Sequence, residues 1–245
     1  MSIGRVFIRK KNNEFETYNF YQAYEGFNKL GFEVHFFEGE LPEYLTRYDV
    51  VFDYISGVKK AISNLGITPP TEIDYPEELQ KYYGRKLWKS DIDYISSHPE
   101  LFPVFVKPVL GKQFDGRLVK NFGDLIGCGK QGYSPEVWCS EPVSFVTEWR
   151  VFVRYGKVID ARPYKGSPFS KLDEETVMNC IKDFEAIPAG CSLDFGITPE
   201  GKCLLIEVND GYSLGNYGLL GVFYAKLIYA RWCEMVGIPD ELIYF

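Results

Sequence analysis

The stretch that decides the fold of this chain reads Ser192-Leu-Asp-Phe-Gly-Ile-Thr-Pro-Glu-Gly-Lys-Cys-Leu-Leu-Ile-Glu-Val-Asn-Asp-Gly-Tyr-Ser-Leu-Gly-Asn216. Two runs rich in apolar residues flank Thr198-Pro-Glu-Gly201, a four-residue loop that contains proline and glycine. Such runs around a short loop predict a β-hairpin. Three side chains that carry oxygen lie on the two runs, namely Asp194, Glu207 and Asn209.

The three oxygen-bearing side chains are predicted to share one face of the hairpin. Successive strand residues point to opposite faces, so Glu207 and Asn209 lie on the same face. If Ile197 pairs with Lys202 across the loop, Asp194 takes that face too. Their own strands offer little compensating charge, and Mg²⁺ prefers oxygen ligands of this kind. The hairpin therefore predicts a metal site, with a solvated hairpin face as the plainer alternative.

Composition restricts the class of protein. The chain has 245 residues, 46% apolar and 25% charged, which indicates a globular protein with one large domain or two smaller ones. No apolar stretch reaches the ~18 residues of a membrane helix, and the N-terminal residues lack the apolar core of a signal peptide. We therefore expect a cytoplasmic protein with no membrane partner. The net charge of −7 disfavours non-specific nucleic-acid binding, although a local basic groove stays open.

Cysteine and histidine usage excludes some kinds of site. The six cysteines form no C-x-x-C pair, so neither zinc spacing nor a disulfide scaffold is indicated. We expect reduced and mostly buried thiols. The two histidines, His35 and His98, disfavour a histidine-based triad or a histidine-rich metal site.

Strand and helix signals alternate along residues 1–79. The predicted strands are 3–9, 32–37 and 49–55, and the predicted helices are 17–30 and 56–65. This order predicts a small α/β layer. Beyond a connector with two prolines, we predict a broken helical stretch over 77–95 and closing helices over 173–186 and 219–236. The predicted strands between them are 102–106, 117–120, 136–140, 145–154 and 157–162.

Four features follow one another in this second part of the chain. A buried strand ends in Lys107, a glycine-containing loop over 111–116 carries Lys112, a strand runs from Glu141 past Glu148 to Arg150, and the hairpin closes the set. This order resembles the ATP-grasp superfamily, in which two α+β subdomains grip ATP between them. The chain looks like a small, divergent branch with one arginine and two lysines on ATP, and the resemblance covers residues 85–245.

The resemblance implies a fold class and a domain division. We expect an ATP-grasp fold of mixed α+β and α/β class, preceded by a small α/β domain over residues 1–79. The ATP-grasp domain would span residues 80–245. Within it, residues 80–140 would form a phosphate-loop subdomain, and residues 141–245 would carry the hinge and the metal site.

The resemblance also implies three phosphate-binding cations. Lys107 would hold the α- and β-phosphates, because a lysine at a strand end is a fixed point charge; the alternative is a surface lysine. Lys112 and its loop would cover the triphosphate, although a plain hairpin turn is the other interpretation. Arg85 would be the third cation. Lys86 and Lys89 stay open in its place, because a helical stretch with three basic residues does not indicate which one faces inwards.

Adenosine recognition would come from the strand that follows. Glu141 would offer its backbone carbonyl to the adenine amino group, and Val143 or Ser144 would donate a backbone N–H. Glu148 would bond the ribose hydroxyls. Its alternative is an exposed strand residue paired with Arg150.

The resemblance places the reacting groups near the hairpin. Arg150 and Arg162 would contact the transferred phosphate or a tetrahedral intermediate, since a planar cation suits both. Lys165 would lie at the substrate edge, or would be a plain loop lysine. Residues 211–218, with Tyr212 and Tyr217, would form a substrate or phosphate loop, or only a lead into the last helix.

The implied reaction uses ATP with Mg²⁺ or Mn²⁺ at Asp194, Glu207 and Asn209. A carboxylate of a small molecule or peptide would be activated as an acyl phosphate and joined to an amine, with release of ADP and phosphate. Two alternatives stay open: a phosphotransferase acting on a small molecule, and a nucleotide-binding or nucleic-acid-end-modifying protein. The sequence leaves the substrates and the oligomeric state open.

Overall fold

The computed structural model describes residues 3–111, 113–130, 132–167 and 169–244. The strands of this part are β1 (Arg5–Arg9), β2 (Glu33–Phe37), β3 (Asp49–Phe52), β4 (Leu87–Asp91), β5 (Val104–Pro108), β6 (Arg117–Val119), β7 (Glu136–Ser140), β8 (Thr147–Arg154), β9 (Lys157–Gly166), β10 (Gly190–Ile197) and β11 (Cys203–Asp210). The helices are α1 (Tyr18–Lys29), α2 (Ile55–Asn64), α3 (Gln80–Tyr83), α4 (Ile92–Ser97), α5 (Glu174–Asp183) and α6 (Gly221–Val236).

The strands form three separate sheets. The N-terminal sheet is parallel, with the order β2-β1-β3. The outer sheet is antiparallel, with the order β4-β7-β5-β6. The central sheet is also antiparallel, with the order β11-β10-β8-β9, and contains the hairpin β10–β11. A parallel layer followed by two antiparallel sheets gives the mixed class that the sequence predicts.

Helix α6 joins the N-terminal sheet to the central sheet. It packs against α1 on one side and against β10 and β8 on the other. The helices approach so closely that a Cβ added to Gly26 would overlap the carbonyl oxygen of Gly221. Glycine at this crossing therefore lets the two backbones touch. The division of the chain at residue 79 stays a prediction, since α6 completes the core of the layer before it.

Each sheet has its own apolar core. The N-terminal sheet shares one with α1, α2 and α6, which includes Phe7, Phe27 and Trp232. A second core lies between the central sheet and α3 and α5. The third belongs to the outer sheet and includes Val104 and Val106. Burial of these side chains is the main force that holds each unit together.

The hairpin register differs in detail from the predicted one. Ile197 pairs with Cys203 rather than with Lys202, and a bulge between Asp194 and Phe195 shifts the remaining pairs by one residue. Asp194 consequently lies directly opposite Glu207. The bulge restores the shared face that a one-residue slip alone would have lost.

One secondary-structure prediction was wrong. Residues 87–91 form β4, which pairs with β7, within the stretch predicted to be helical over 77–95. Pairing with β7 decides the conformation of this short segment, which local propensity does not. The six cysteines carry free thiols, five of them buried. Among the described residues, no helix combines the length and apolarity needed to cross a membrane.

Candidate active site

A cleft of about 1000 Å³ opens where the three sheets meet. The outer sheet contributes Lys107, the central sheet contributes Arg150 and Glu207, and the N-terminal layer contributes Asp53 after β3. Residues 72–75 of the linker between α2 and α3 also line it. Charged groups from distant parts of the chain therefore face one another across a single cleft.

Lys107 connects three of these parts. Burial alternates along β5, so Val104 and Val106 enter the core of the outer sheet while Lys107 lies on the other face. Its Nζ donates to Oδ1 of Asp74 in the linker and to Oε2 of Glu207 in β11, at 2.6 Å each. One ammonium group thus holds the outer sheet, the linker and the hairpin together.

The ion pair shifts the pKa values of both partners. Burial would lower the pKa of Lys107, but Glu207 and the neighbouring acids raise it above its ordinary value. Burial would also raise the pKa of Glu207, but the Lys107 ammonium holds it below its ordinary value of 4.5. The Glu207 shift stabilises the fold above pH 4.5, and this stability is lost as the pH falls through the lowered pKa. The Lys107 shift stabilises the fold until the pH rises through the raised pKa.

Arg150 forms the second buried ion pair. Its Nε and Nη2 donate to the two carboxylate oxygens of Asp194 at 2.8 and 2.7 Å, and Nη1 donates to the carbonyl of Gly215 at 3.3 Å. The Arg150 side chain is 7% exposed and the Asp194 side chain 3%. Burial alone would lower the pKa of the guanidinium, but Asp194 raises it above its ordinary value. Asp194 itself does not line the cleft and lies behind Arg150.

Arg85 lies at the bulge in β11. Its guanidinium donates to the carbonyls of Leu205 and Ile206 at 2.9 Å each, and to the carbonyl of Tyr83 at 3.0 Å. Burial lowers the pKa of Arg85. Arg85 lines the cleft, so of the three basic residues left open by the sequence it is the one placed to meet a ligand there. The other two lie elsewhere: Lys86 over the ring of Trp88 and Lys89 over the ring of Trp138.

The segments that join the outer and central sheets bond to each other. The backbone N–H of Lys86 donates to Oε2 of Glu141 at 2.9 Å, and the backbone N–H of Glu141 donates to the Lys86 carbonyl at 3.2 Å. Glu141 and Val143, the predicted adenine contacts, line the cleft beside this crossing. Backbone groups at such a crossing are suited to reading the edge of a flat ring.

Glu148 pairs with Lys165 across β8 and β9. Nζ of Lys165 donates to Oε1 of Glu148 at 2.5 Å, and both residues line the cleft. Tyr164 is the extra residue of a register shift beside them, and its ring stacks on Tyr217 at 4.8 Å. The Arg150 guanidinium lies 4.5 Å from the Tyr217 ring centroid. The aromatic pair and the arginine form one wall of the cleft.

Two predicted site residues are not placed in the cleft. Arg162 lies opposite Arg150 in the strand register but does not line the cleft, and its guanidinium donates to Asp160 at 2.6 and 2.9 Å. Lys112 lies outside the described residues. Gly111, Phe114 and Asp115 of the same loop do line the cleft. The roles of all the predicted site residues stay predictions.

The residues near Glu207 fit a divalent cation in part. The side-chain nitrogen of Asn209 is buried and has no hydrogen-bond partner, and a half-turn of the amide would present its oxygen instead. Lys107 already places a positive charge between two carboxylates. In the described parts of the chain, however, no three or more His, Cys, Asp or Glu side chains are grouped to hold a metal. Glu207 and Asn209 therefore fit the cation, whereas Asp194 is held by Arg150.

Some cleft residues were not predicted from the sequence. Asp74 and Tyr75 come from the linker, which reads only as a proline-containing connector. Tyr164 comes from β9, and Asn19 comes from α1, where its Oδ1 accepts a hydrogen bond from the backbone of Asn216. None of these residues belongs to a local motif. Their place depends on how distant segments pack.

Comparison with known families gives one match over most of this region. The matching sequence model describes an ATP-grasp domain, family 2 of the clade named for one arginine and two lysines. It matches residues 82–227, which is more than half of the chain. No curated protein sequence matches the chain significantly.

Solved structures extend the comparison to the whole chain. D-alanine–D-alanine ligase from Bacillus anthracis superposes with a TM-score of 0.59 over 96% of this chain and 97% of its own, at 13% identity. N5-carboxyaminoimidazole synthetase from Staphylococcus aureus gives 0.59 over 97% and 78%, at 11% identity. The ATP-grasp ligase PsnB, complexed with a precursor peptide and AMPPNP, gives 0.52 over 94% and 98%, at 14% identity. At these identities the likeness shows the fold, which confirms the fold predicted from the sequence.

Proposed function

Because this chain belongs to the arginine-and-two-lysine clade of the ATP-grasp superfamily, we propose that it is an ATP-dependent ligase that joins a carboxylate to an amine and releases ADP and phosphate. The observation that carries this proposal is the single cleft that Lys107, Arg85, Glu207 and Arg150 line together. Phosphate-binding cations, an oxygen ligand for a cation and a planar guanidinium are the parts that acyl phosphate chemistry needs.

The nucleotide would lie between the outer and central sheets. Lys107 and Arg85 would face the phosphates, Glu141 and Val143 the adenine, and Glu148 the ribose. Each of these residues lines the cleft, and most of them now bond another protein group. Binding would therefore exchange internal partners for ligand atoms instead of filling a preformed set of free donors.

Glu207 and Asn209 would hold the divalent cation, either Mg²⁺ or Mn²⁺, with Asp194 as a further predicted ligand. The cation would neutralise charge on the phosphates as the γ-phosphoryl group moves. Glu207 is ionised at neutral pH, because Lys107 holds its pKa below the ordinary value despite burial. It therefore has the charge that a cation ligand requires.

The acceptor would bind beyond the phosphates, beside Arg150. Tyr164, Tyr217 and Asn216 line this end, together with Asn19 from the N-terminal layer. The Arg150 guanidinium would approach the acyl phosphate, where a planar cation stabilises negative charge on oxygen. Similar structures include ligases for small molecules and one complexed with a precursor peptide, so both acceptor classes belong in a substrate screen.

Binding of Mg·ADP is expected to raise the melting temperature of the wild-type protein. A ligand at about 100 times its Kd adds roughly 2.7 kcal/mol to the folded state, which for a chain of this size is a shift of about 5–10 °C. Lys107→Met should lose most of the shift, because the phosphate-binding charge is gone. Lys120→Met, an exposed lysine at the end of β6 on the same sheet, is the matched control and should keep it. An equal shift in the Lys107 variant would contradict the assignment.

The nucleotide product is expected to be ADP. A panel of carboxylic acids and amines, including short peptides, would be screened for release of ADP and phosphate, and the organic product would be analysed by mass spectrometry. An amide would support the ligase. A stable phosphorylated molecule would instead support the phosphotransferase, and AMP with pyrophosphate would contradict an acyl phosphate route.

A further inference from the structure

The linker places one carboxylate in the phosphate end of the cleft. Asp74 lies between α2 and α3, outside the residues that the family model matches. The backbone N–H of Val208 in β11 donates to the Asp74 carbonyl at 2.8 Å, which forms an isolated antiparallel bridge. The linker is therefore attached to the strand that carries Glu207.

The backbone of the linker fixes the direction of this carboxylate. Asp74 has a φ of +40°, in the left-handed region that non-glycine residues rarely adopt. The next residue, Tyr75, packs edge-on against Trp138 and Tyr83 and holds the linker in place. A strained residue persists only where its surroundings determine it, so the position of the Asp74 side chain is imposed by the fold.

Asp74 cancels charge that would otherwise face a polyphosphate. Its Oδ1 lies 2.6 Å from Nζ of Lys107, as does Oε2 of Glu207. Arg85 is the other cation beside this cluster and also feels the charge of Glu207. Among the described side chains of this cluster, two acids and two cations therefore balance, which leaves little surplus positive charge to attract a free nucleotide.

We propose that Asp74 is a positioning residue that makes nucleotide binding depend on a divalent cation. It holds Lys107 while the cleft lacks nucleotide, and it repels phosphates that arrive without a cation. A nucleotide with its cation brings the charge that offsets Asp74 and Glu207 together, so Lys107 turns to the phosphates. This inference rests on the proposed nucleotide site.

Asp74→Asn tests the proposal, because it removes the charge and keeps the shape. Asparagine tolerates a positive φ, so the linker should keep its conformation. Calorimetry would measure the Kd of ADP in EDTA and in Mg²⁺. We expect the Kd in EDTA to fall by about tenfold, as one like charge a few ångströms from the phosphates is removed. The Kd in Mg²⁺ should change much less, so the variant loses much of its cation dependence.

Glu72→Gln is the matched control. It removes the same charge from the same linker and also lines the cleft, but its partner is Lys59, at 2.8 Å, and not Lys107. Cation dependence should stay at the wild-type level, which separates a local effect from the change in net charge. Asp74→Gly, which also relieves the positive φ, supplies a second neutral variant and should behave like Asp74→Asn.

Three results would overturn the proposal. An unchanged Kd in EDTA would show that Asp74 does not repel the phosphates. Weaker binding in Mg²⁺ alone would make Asp74 a cation ligand, and equal weakening in both buffers would make it a structural residue only. Failure of the wild-type protein to bind Mg·ADP would overturn the nucleotide site itself, which is a separate result from wild-type binding without any effect of the variants.

Discussion

Glu207→Gln is expected to lower turnover by roughly 10²–10³-fold while the protein stays folded. The amide keeps the volume of the side chain and can still accept a hydrogen bond from Lys107, so the contact between β11 and β5 should persist. What is lost is a negative charge that faces the phosphates and the cation. Since the pKa of Glu207 lies below its ordinary value, the wild-type residue carries this charge throughout the neutral range.

The measurement is ADP release with the acid and amine that support turnover, together with thermal unfolding of the same preparation. Glu200→Gln removes the same charge from the exposed loop of the hairpin and should change neither quantity. A Glu207 variant with the wild-type rate and an intact fold would remove Glu207 from the cation site. A lower melting temperature with an unchanged rate per folded molecule would leave it a structural role only.

Arg150→Met is expected to destabilise the protein by about 3–5 kcal/mol, because it leaves the Asp194 carboxylate buried without its partner. For a chain of this length the melting temperature should fall by roughly 6–20 °C. Activity should be lost as well, since the guanidinium is the proposed contact for the acyl phosphate. Thermal and urea unfolding measure the stability effect independently of any substrate.

Arg162→Met is the matched control for Arg150→Met. Arg162 lies opposite Arg150 in the strand register, but its pair with Asp160 is partly exposed, so its loss should cost less than about 1 kcal/mol. Combining Arg150→Met with Asp194→Leu should recover most of the stability, because no charge is left unpaired. Equal destabilisation by Arg150→Met and Arg162→Met would contradict the importance of burial for this pair.

Local sequence patterns predicted much of the central part of the protein. The hairpin followed from two apolar runs around a Pro-Gly loop, and the face shared by Asp194, Glu207 and Asn209 followed from the alternation of a strand. The strand that ends in Lys107 and the N-terminal α/β layer were recognisable for the same reason. In each case the pattern spans a few residues whose periodicity reflects burial on one side.

The remaining features depend on contacts between distant segments. β4 is a strand because β7 lies beside it, and nothing in residues 87–91 records that neighbour. The bulge opposite Asp194 leaves no trace in composition, yet it places two carbonyls against Arg85. Likewise, Asp74 comes from a connector without a motif. Charge balance in the cleft was therefore the property least accessible to sequence reasoning, because it is the sum of residues far apart in the chain.

The separation of the apolar side chains into three cores has a consequence for how this sequence can change. Substitutions in different cores share no neighbours, so their effects on the free energy of unfolding are expected to add. The outer sheet can then accept new core residues without repacking the other two units. Coupling between substitutions is expected to concentrate at the cleft, where Lys107 joins three segments and where a change in one partner alters what the others tolerate.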